Sequence, residues 1–87
     1  MISVIIPAKD AAATIAACLD GALDQHDLDE DYEVILVDDG SGDKTAEIGK
    51  SKGVKVIQQE NAGPAAARNA GADVAQGEIL AFTDADC

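Results

Sequence analysis

Residues 32–43 read YEVILVDDGSGD and carry the signal that decides the fold of this chain. The first part, YEVILV, is an apolar run rich in β-branched residues, which predicts a β-strand. The run ends in a turn of Asp, Gly and Ser, after which residues 44–52 are predicted to form a short helix, capped by Asp43 and ended by Gly53. A strand that passes through a short turn into a helix is the unit from which parallel sheets are built.

The same alternation of strand and helix extends over the whole chain. Asp10 and Pro64 are start signals for two further helices, and Gly77 is a stop signal for the second of them. The predicted order is therefore β-α-β-α-β-α-β, an α/β fold with a Rossmann-like parallel sheet and right-handed crossovers. We expect one domain over residues 1–87, with strands at 2–7, within 32–43, at 54–59 near a sheet edge and at 78–84, and helices at 10–25, 44–52 and 61–77.

Composition excludes several classes of protein. The formal net charge of −11 argues against nucleic acid as a partner, because its phosphates would be repelled. Aromatic residues make up only 2% of the 87 residues, so the core must consist of Val, Ile, Leu and Ala. Cys18 and Cys87 lack metal-ligand spacing, and Cys18 is predicted to be a small buried thiol. No signal peptide and no apolar stretch of about 20 residues is present, which favours a reducing, cytoplasmic setting.

Aspartates follow three of the four predicted strands. Ligands of open parallel sheets bind at the carboxyl ends of the strands, so side chains at those ends are expected to share one rim. Helix capping and turn formation explain Asp10 and Asp43, but no helix follows the last strand in this chain. The predicted rim contains Asp10, Asp38, Asp39, Asp84 and Asp86, together with Lys9 and, as a further candidate, Arg68.

The final residues, Asp84-Ala85-Asp86, place two carboxylates on the same side of an extended backbone. Such a pair suits Mg²⁺ or Mn²⁺, which also bind phosphate oxygens. In the other acidic turn, Gly40 and Gly42 let the backbone curl so that the Asp39 carboxylate faces the rim. A carboxylate there can accept hydrogen bonds from a base or ribose but repels a bare phosphate. An acidic rim that binds a diphosphate therefore needs a metal ion between the two.

Four segments together resemble a known family: SVIIPAKD (3–10), VILVDDGSGDKT (34–45), NAGPAAARNAG (61–71) and GEILAFTDADC (77–87). In order and spacing they are similar to the N-terminal, nucleotide-sugar-binding half of a family 2 glycosyltransferase with the GT-A fold. The resemblance implies the strand order 3-2-1-4. The fourth strand is then an uncovered edge, through which self-association is plausible.

Carried over to this sequence, the resemblance implies a nucleotide subsite. Pro7 and Ala8 would supply backbone near the base, and Asp39 would hydrogen-bond a uracil-type ring. Lys9 stands where many members carry an aromatic residue that stacks on the base, and a lysine does not stack in that way. Two roles stay open for Arg68, which either faces the nucleotide or braces the acidic rim.

The resemblance also implies a divalent metal. Asp84 would contact the ribose or the metal, Ala85 lies between the two carboxylates in the donor subsite, and Asp86 would ligate the Mg²⁺ or Mn²⁺ that bridges the diphosphate. The donor implied is a nucleoside-diphosphate sugar, with a UDP-sugar favoured.

The implied reaction is transfer of a sugar to an acceptor hydroxyl with inversion, and the general base is expected beyond Cys87. This chain would then be the donor-binding part alone, inactive in isolation, and the full-length protein would sit in the cytoplasm or at the cytoplasmic face of the membrane. Two alternatives stay open: a receiver-like signalling domain and a truncated non-catalytic fragment. A nucleotidyltransferase shares the sheet architecture, but the Gly-rich, Arg-containing loop that it needs after the first strand is missing from PAKDAAAT (7–14). The sugar, the acceptor, the pathway and the oligomeric state are not identified by these residues.

Overall fold

The computed structural model describes residues 1–23 and 31–83. Strands and helices alternate in the predicted order. The first helix begins two residues after its predicted start, and the third is shorter at both ends than the sequence pattern suggested. The elements are β1 (Ile2–Ala8), α1 (Ala12–Leu23), β2 (Tyr32–Asp39), α2 (Thr45–Ser51), β3 (Lys55–Gln59), α3 (Pro64–Val74) and β4 (Ile79–Phe82).

The described strands form one parallel sheet in the order β3-β2-β1-β4, which confirms the expected topology. β1 is central and pairs with β2 over its whole length, from Ile2 opposite Tyr32 to Ala8 opposite Asp38. Because the strands are parallel, their carboxyl ends lie along the same edge of the sheet. β3 occupies the opposite edge from β4, as its alternating sequence predicted.

Helices cover both faces of the sheet. Successive residues of β1 point to opposite faces, so Ile6 packs against α1 and Ile5 packs under α3. On the first face the buried residues include Ala8, Ile15, Leu19 and Leu36, and Cys18 is buried among them as predicted; on the second face they are Ile35, Val37 and Ala67. The core is aliphatic throughout, which the composition required.

The β4 edge is exposed. Ile79, Leu80 and Phe82 are 51, 41 and 48% exposed, which confirms the uncovered edge expected from the strand order. Self-association through this edge stays a prediction. Among the described helices, none is long and apolar enough to cross a membrane.

The start of α1 differs from the prediction. Asp10 adopts a left-handed backbone conformation (φ 51°), and its carboxylate accepts a hydrogen bond from the Gly42 amide at 2.7 Å instead of capping its own helix. The helix is capped from another loop, because the Ala12 amide donates to Asp43 Oδ2 at 3.1 Å. Asp43 Oδ1 also accepts the Thr45 amide at 3.0 Å, as predicted for α2. The hydroxyl and amide of Thr45 and the Ala12 amide all lower the pKa of the Asp43 carboxyl.

Replacing Asp43 by alanine is expected to lower Tm by about 4–8 °C, because one carboxylate serves the starts of two helices. Asp43→Asn is the matched control, since it keeps one acceptor oxygen for one of the two helix starts, and it should recover about half of the loss. Thermal melting followed by circular dichroism measures both. Equal losses in the two variants would contradict the capping role.

α3 ends at Val74, before the predicted stop at Gly77. The amides that follow it are engaged elsewhere, since Gln76 N donates to Glu33 Oε2 at 2.7 Å and Gly77 N donates to Ser3 Oγ at 2.9 Å. The Ser3 hydroxyl in turn donates to Glu33 Oε2 at 2.6 Å, and this bond is the main cause of a lowered Glu33 pKa. These contacts fasten the α3–β4 connection to the amino-terminal end of the sheet.

Candidate functional site

A cavity of about 320 Å³ opens at the carboxyl edge of the sheet, between the ends of β1 and β2 and the start of α3. Every predicted nucleotide-site residue in the described ranges lines it. The remaining predicted residues, Asp84, Ala85 and Asp86, lie outside the described residues. The lining consists of Pro7, Ala8, Lys9, Asp39, Asn61, Gly63, Pro64, Ala67 and Arg68.

Asp39 holds the loop between β3 and α3. Its Oδ1 accepts hydrogen bonds from Ala62 N at 2.8 Å and from Gln59 Nε2 at 2.9 Å, and its Oδ2 accepts one from Gly63 N at 3.0 Å. The backbone amide of Ala62 is the largest cause of a lowered pKa at this carboxyl, and Gln59, Gly63 and the charge of Lys9 lower it further. The carboxylate is thus kept ionised by donors from its own protein.

The turn after Asp39 requires glycine. Gly40 has a φ of 79°, and a Cβ there would lie 2.8 Å from the backbone nitrogen of Asn61. A larger residue would therefore strain the turn and push the β3–α3 loop away from Asp39. This confirms that Gly40 shapes the acidic turn, as the sequence indicated.

Asn61 also lines the cavity, and sequence reasoning did not place it there. In the amide orientation that satisfies both of its ends, Nδ2 lies 3.2 Å from Asp39 Oδ2 and Oδ1 lies 2.5 Å from Lys9 Nζ. Asn61 thus links the end of β1 to the end of β2. The only sequence signal for Asn61 was its place in the Asn-Ala-Gly segment that follows β3. The residues directly after that strand seemed to offer few side chains suited to a binding site.

Gly63, Pro64 and Ala67 also line the cavity without having been predicted to do so. They bring the first turn of α3 against the end of β1. Pro64 is the first helical residue, as predicted, and its missing amide costs nothing at that position.

Arg68 is exposed on α3, one turn after Pro64. Within residues 1–23 and 31–83 it forms no ion pair with a carboxylate. Of the rim carboxylates, Asp38 instead accepts the Ser41 amide at 3.0 Å. The bracing role therefore has no partner among the described residues, and both predicted roles of Arg68 stay predictions.

The described part of the chain contains no group of three or more His, Cys, Asp or Glu side chains arranged to hold a metal ion. The predicted metal ligands, Asp84 and Asp86, come directly after Thr83. The Thr83 amide donates to the Ile5 carbonyl at 3.1 Å, so the described chain reaches the same rim as the cavity. A metal site at Asp84 and Asp86 stays a prediction.

The sheet and its cavity define a class. The sheet is parallel, and the cavity lies at the carboxyl ends of its strands, beside the central strand at which the strand order reverses. Nucleotide-binding α/β domains have this arrangement. The family model described as "Glycosyl transferase family 2" matches residues 3–87. The chain therefore belongs to the family 2 glycosyltransferases, and its four-stranded sheet matches their GT-A structures. Membership in this family sets aside the receiver alternative.

Named relatives agree with this assignment. Glycosyltransferase AglE of Haloferax volcanii is 40% identical over 92 residues, covering 99% of this chain and 30% of that protein. Mannosyltransferase PcManGT from Pyrobaculum calidifontis, solved with GDP-Man and Mn²⁺, has a TM-score of 0.86 and 30% identity over 98% of this chain and 27% of that one. S. aureus TarS 1-349, solved with UDP-GlcNAc, has a TM-score of 0.85 and 34% identity, covering 98% of this chain and 26% of that one. The chain thus spans less than a third of the length of each.

Proposed function

We propose that this chain is the donor-binding part of a glycosyltransferase that transfers a sugar from a nucleoside-diphosphate sugar, with a UDP-sugar favoured, to an acceptor hydroxyl. The observation that carries the proposal is the cavity at the carboxyl edge of the sheet, where Lys9 and Arg68 line the wall of a protein with a net charge of −11. A local excess of cationic groups attracts an anionic ligand that the protein as a whole would repel. Structural neighbours solved with GDP-Man and with UDP-GlcNAc support this choice of ligand.

In the proposed complex, the nucleotide lies against the end of β1. Pro7 and Ala8 offer backbone to the base, Lys9 and Arg68 offer hydrogen-bond donors, and Asp39 fixes the loop that closes the cavity. Ala8 is buried at the end of the central strand, so this side of the site is rigid before any ligand binds.

We further propose that Asp84 and Asp86, on either side of Ala85, hold Mg²⁺ or Mn²⁺. Two carboxylates are the hard oxygen ligands that these ions prefer, and the neighbour solved with Mn²⁺ supports the choice. When bound, the ion supplies neutralisation of charge on the leaving diphosphate. The aspartates hold the ion, and the cavity residues orient the donor.

The proposed outcome at the anomeric carbon is inversion, with a carboxylate acting as general base on the acceptor hydroxyl. That base is assigned to none of the 87 residues. A protein limited to these residues is accordingly expected to bind the nucleotide without transferring sugar.

UDP binding is expected to be about tenfold tighter with Mn²⁺ than with EDTA, because the ion offsets repulsion between the diphosphate and the acidic rim. Isothermal titration calorimetry measures both affinities. The variant D84N/D86N should lose the Mn²⁺ effect. The control variant Asp73→Asn removes an exposed carboxylate on α3 and should keep it. Binding heat for UDP that EDTA leaves unchanged would contradict the metal bridge.

A further inference from the structure

The side chains of β4 do little to fix the position of that strand. All residues of β4 are exposed, and within the described ranges none of them belongs to the buried hydrophobic cluster on either face of the sheet. A strand that buries one apolar face resists slipping, whereas a strand without such a face has a weakly specified register. The register of β4 against β1, from Ile2 opposite Ile79 to Ile5 opposite Phe82, therefore needs another cause.

Hydrogen bonds at the amino-terminal end of the sheet supply that cause. Ser3 and Glu33 lie opposite each other on β1 and β2, and Ser3 is fully buried. Glu33 Oε2 accepts the Gln76 amide at 2.7 Å and the Ser3 hydroxyl at 2.6 Å. Ser3 Oγ in turn accepts the Gly77 amide at 2.9 Å. Two consecutive amides of the chain that enters β4 are thus bound to two neighbouring strands.

Close packing at Gly77 fixes the same point. A Cβ on Gly77 would lie 2.5 Å from the Met1 carbonyl oxygen and 2.7 Å from Ser3 Oγ, so only glycine fits here. The Ile79 amide donates to the same Met1 carbonyl oxygen at 3.5 Å. A shift by one residue would bring Gln76 or Glu78 to the position of Gly77, and the Cβ of either would clash with β1.

We infer that Ser3 and Glu33 are positioning residues for the proposed metal site, because they set the register in which β4 brings the chain to the cavity. The inference rests on the proposed function, in which Asp84 and Asp86 hold the ion. At the far end of β4 the Thr83 amide donates to the Ile5 carbonyl at 3.1 Å, and Asp84 is the next residue. A slip of one residue would move Thr83 by about 3.3 Å along the sheet and reverse the face of each β4 side chain.

Ser3 and Glu33 act at a distance from the ligand. The rise along β1 from Ser3 to Ala8 in the cavity wall is about 16 Å, and neither Ser3 nor Glu33 lines the cavity. Their loss should therefore spare the contacts between the cavity and the nucleotide and weaken only the contribution of the ion. A residue that merely stabilises the fold would not divide the two.

Calorimetry of UDP binding with Mn²⁺ and with EDTA tests this division. Glu33→Ala and Ser3→Ala are each expected to reduce the enhancement by Mn²⁺ from about tenfold to about twofold, while the affinity in EDTA stays within about twofold. Glu33→Gln keeps a carbonyl oxygen that can accept the bonds from Ser3 and Gln76, and it should restore most of the enhancement. The matched control Lys55→Met removes the ion pair between Lys55 and Glu33 at 3.5 Å, leaves those bonds in place and should keep the enhancement.

A second measurement follows the register without a ligand. Amide hydrogen exchange of Thr83, measured by NMR, should be about tenfold faster in Glu33→Ala than in Glu33→Gln, because the bond to Ile5 opens when β4 slips. The amide of Leu36, which is fully buried on β2, is the internal reference for a general loss of stability.

Two results would overturn the inference. One is a rise in Thr83 exchange no larger than that of Leu36, and the other is an equal fall in UDP affinity with Mn²⁺ and with EDTA. If the unmodified protein shows no Mn²⁺ enhancement, the proposed metal site fails and the positioning role with it. That failure is distinguishable, because it appears before any substitution is made.

Discussion

Asp39→Ala is expected to weaken UDP binding about a hundredfold and to lower Tm by about 5 °C. The substitution removes the acceptor for two consecutive backbone amides, those of Ala62 and Gly63, and for the side chains of Gln59 and Asn61. The β3–α3 loop then loses its attachment to β2, and the cavity loses one wall. Calorimetry with UDP and thermal melting measure the two effects.

The neighbouring residue supplies the control. Asp38 is also buried, but within residues 1–23 and 31–83 its carboxylate accepts only the Ser41 amide, and it does not line the cavity. Asp38→Ala should lower Tm while leaving UDP affinity within about twofold. Equal losses of UDP affinity in the two variants would contradict the special role of Asp39.

The pH dependence of stability offers a second control. The ordinary pKa of an aspartate is 3.8, and hydrogen bonds lower that of Asp39 in the folded protein. A lowered folded-state pKa means that the contribution of Asp39 is complete above 3.8 and is lost as the pH falls through the lowered value. In Asp39→Ala this component of acid unfolding should be absent. Urea unfolding at a series of pH values between about 2 and 6 measures it.

Gly71→Ala is expected to destabilise the protein by about 2 kcal/mol, a fall in Tm of about 10 °C. Gly71 is buried where α3 crosses the sheet, and a Cβ there would lie 2.5 Å from Ile5 Cγ2 and 3.2 Å from Val37 Cγ2. Both of those residues are fully buried on the central strands and have no room to retreat. The clash outweighs the gain of about 1 kcal/mol that alanine brings to a helix.

Gly21→Ala is the matched control, because Gly21 is also helical but a Cβ there would meet no atom of the described residues within 4 Å. That variant should gain about 0.5–1 kcal/mol from helix propensity alone. Urea unfolding of both variants measures the two free energies. The changes in the free energy of unfolding are expected to have opposite signs in the two variants. A stabilising effect of Gly71→Ala would show that α3 packs less closely on the sheet than the structure indicates.

The α3 clash also bears on the site. Ala67 and Arg68 lie on α3 and line the cavity, so a shift of the helix away from Ile5 would widen it. UDP affinity of Gly71→Ala should accordingly fall, whereas Gly21→Ala should leave it unchanged.

Most of the fold could be predicted because its signals are local. Apolar β-branched runs, a period of 3.6, Pro64 at a helix start and Gly53 at a helix end each act within a few residues of chain. The same reasoning placed Pro7, Ala8, Lys9 and Asp39 at one rim, since parallel strands bring their carboxyl ends together. Arg68, which lies on a helix, was only a further candidate. The errors were at element ends, where Asp10 caps nothing in its own helix and α3 stops before Gly77.

The sequence by itself determined the order of the strands and helices, the aliphatic core and which residues at the strand ends reach the carboxyl edge of the sheet. Only the tertiary structure decided which hydrogen bonds the loop residues form. Asp43 accepts hydrogen bonds at two helix starts, and Asp39 accepts them from the β3–α3 loop. Asn61 connects Lys9 to Asp39. The reason is that a strand fixes which way its last residue faces, whereas a hydrogen bond between two loops depends on the separation of distant segments. Packing of the helices on the sheet sets that separation.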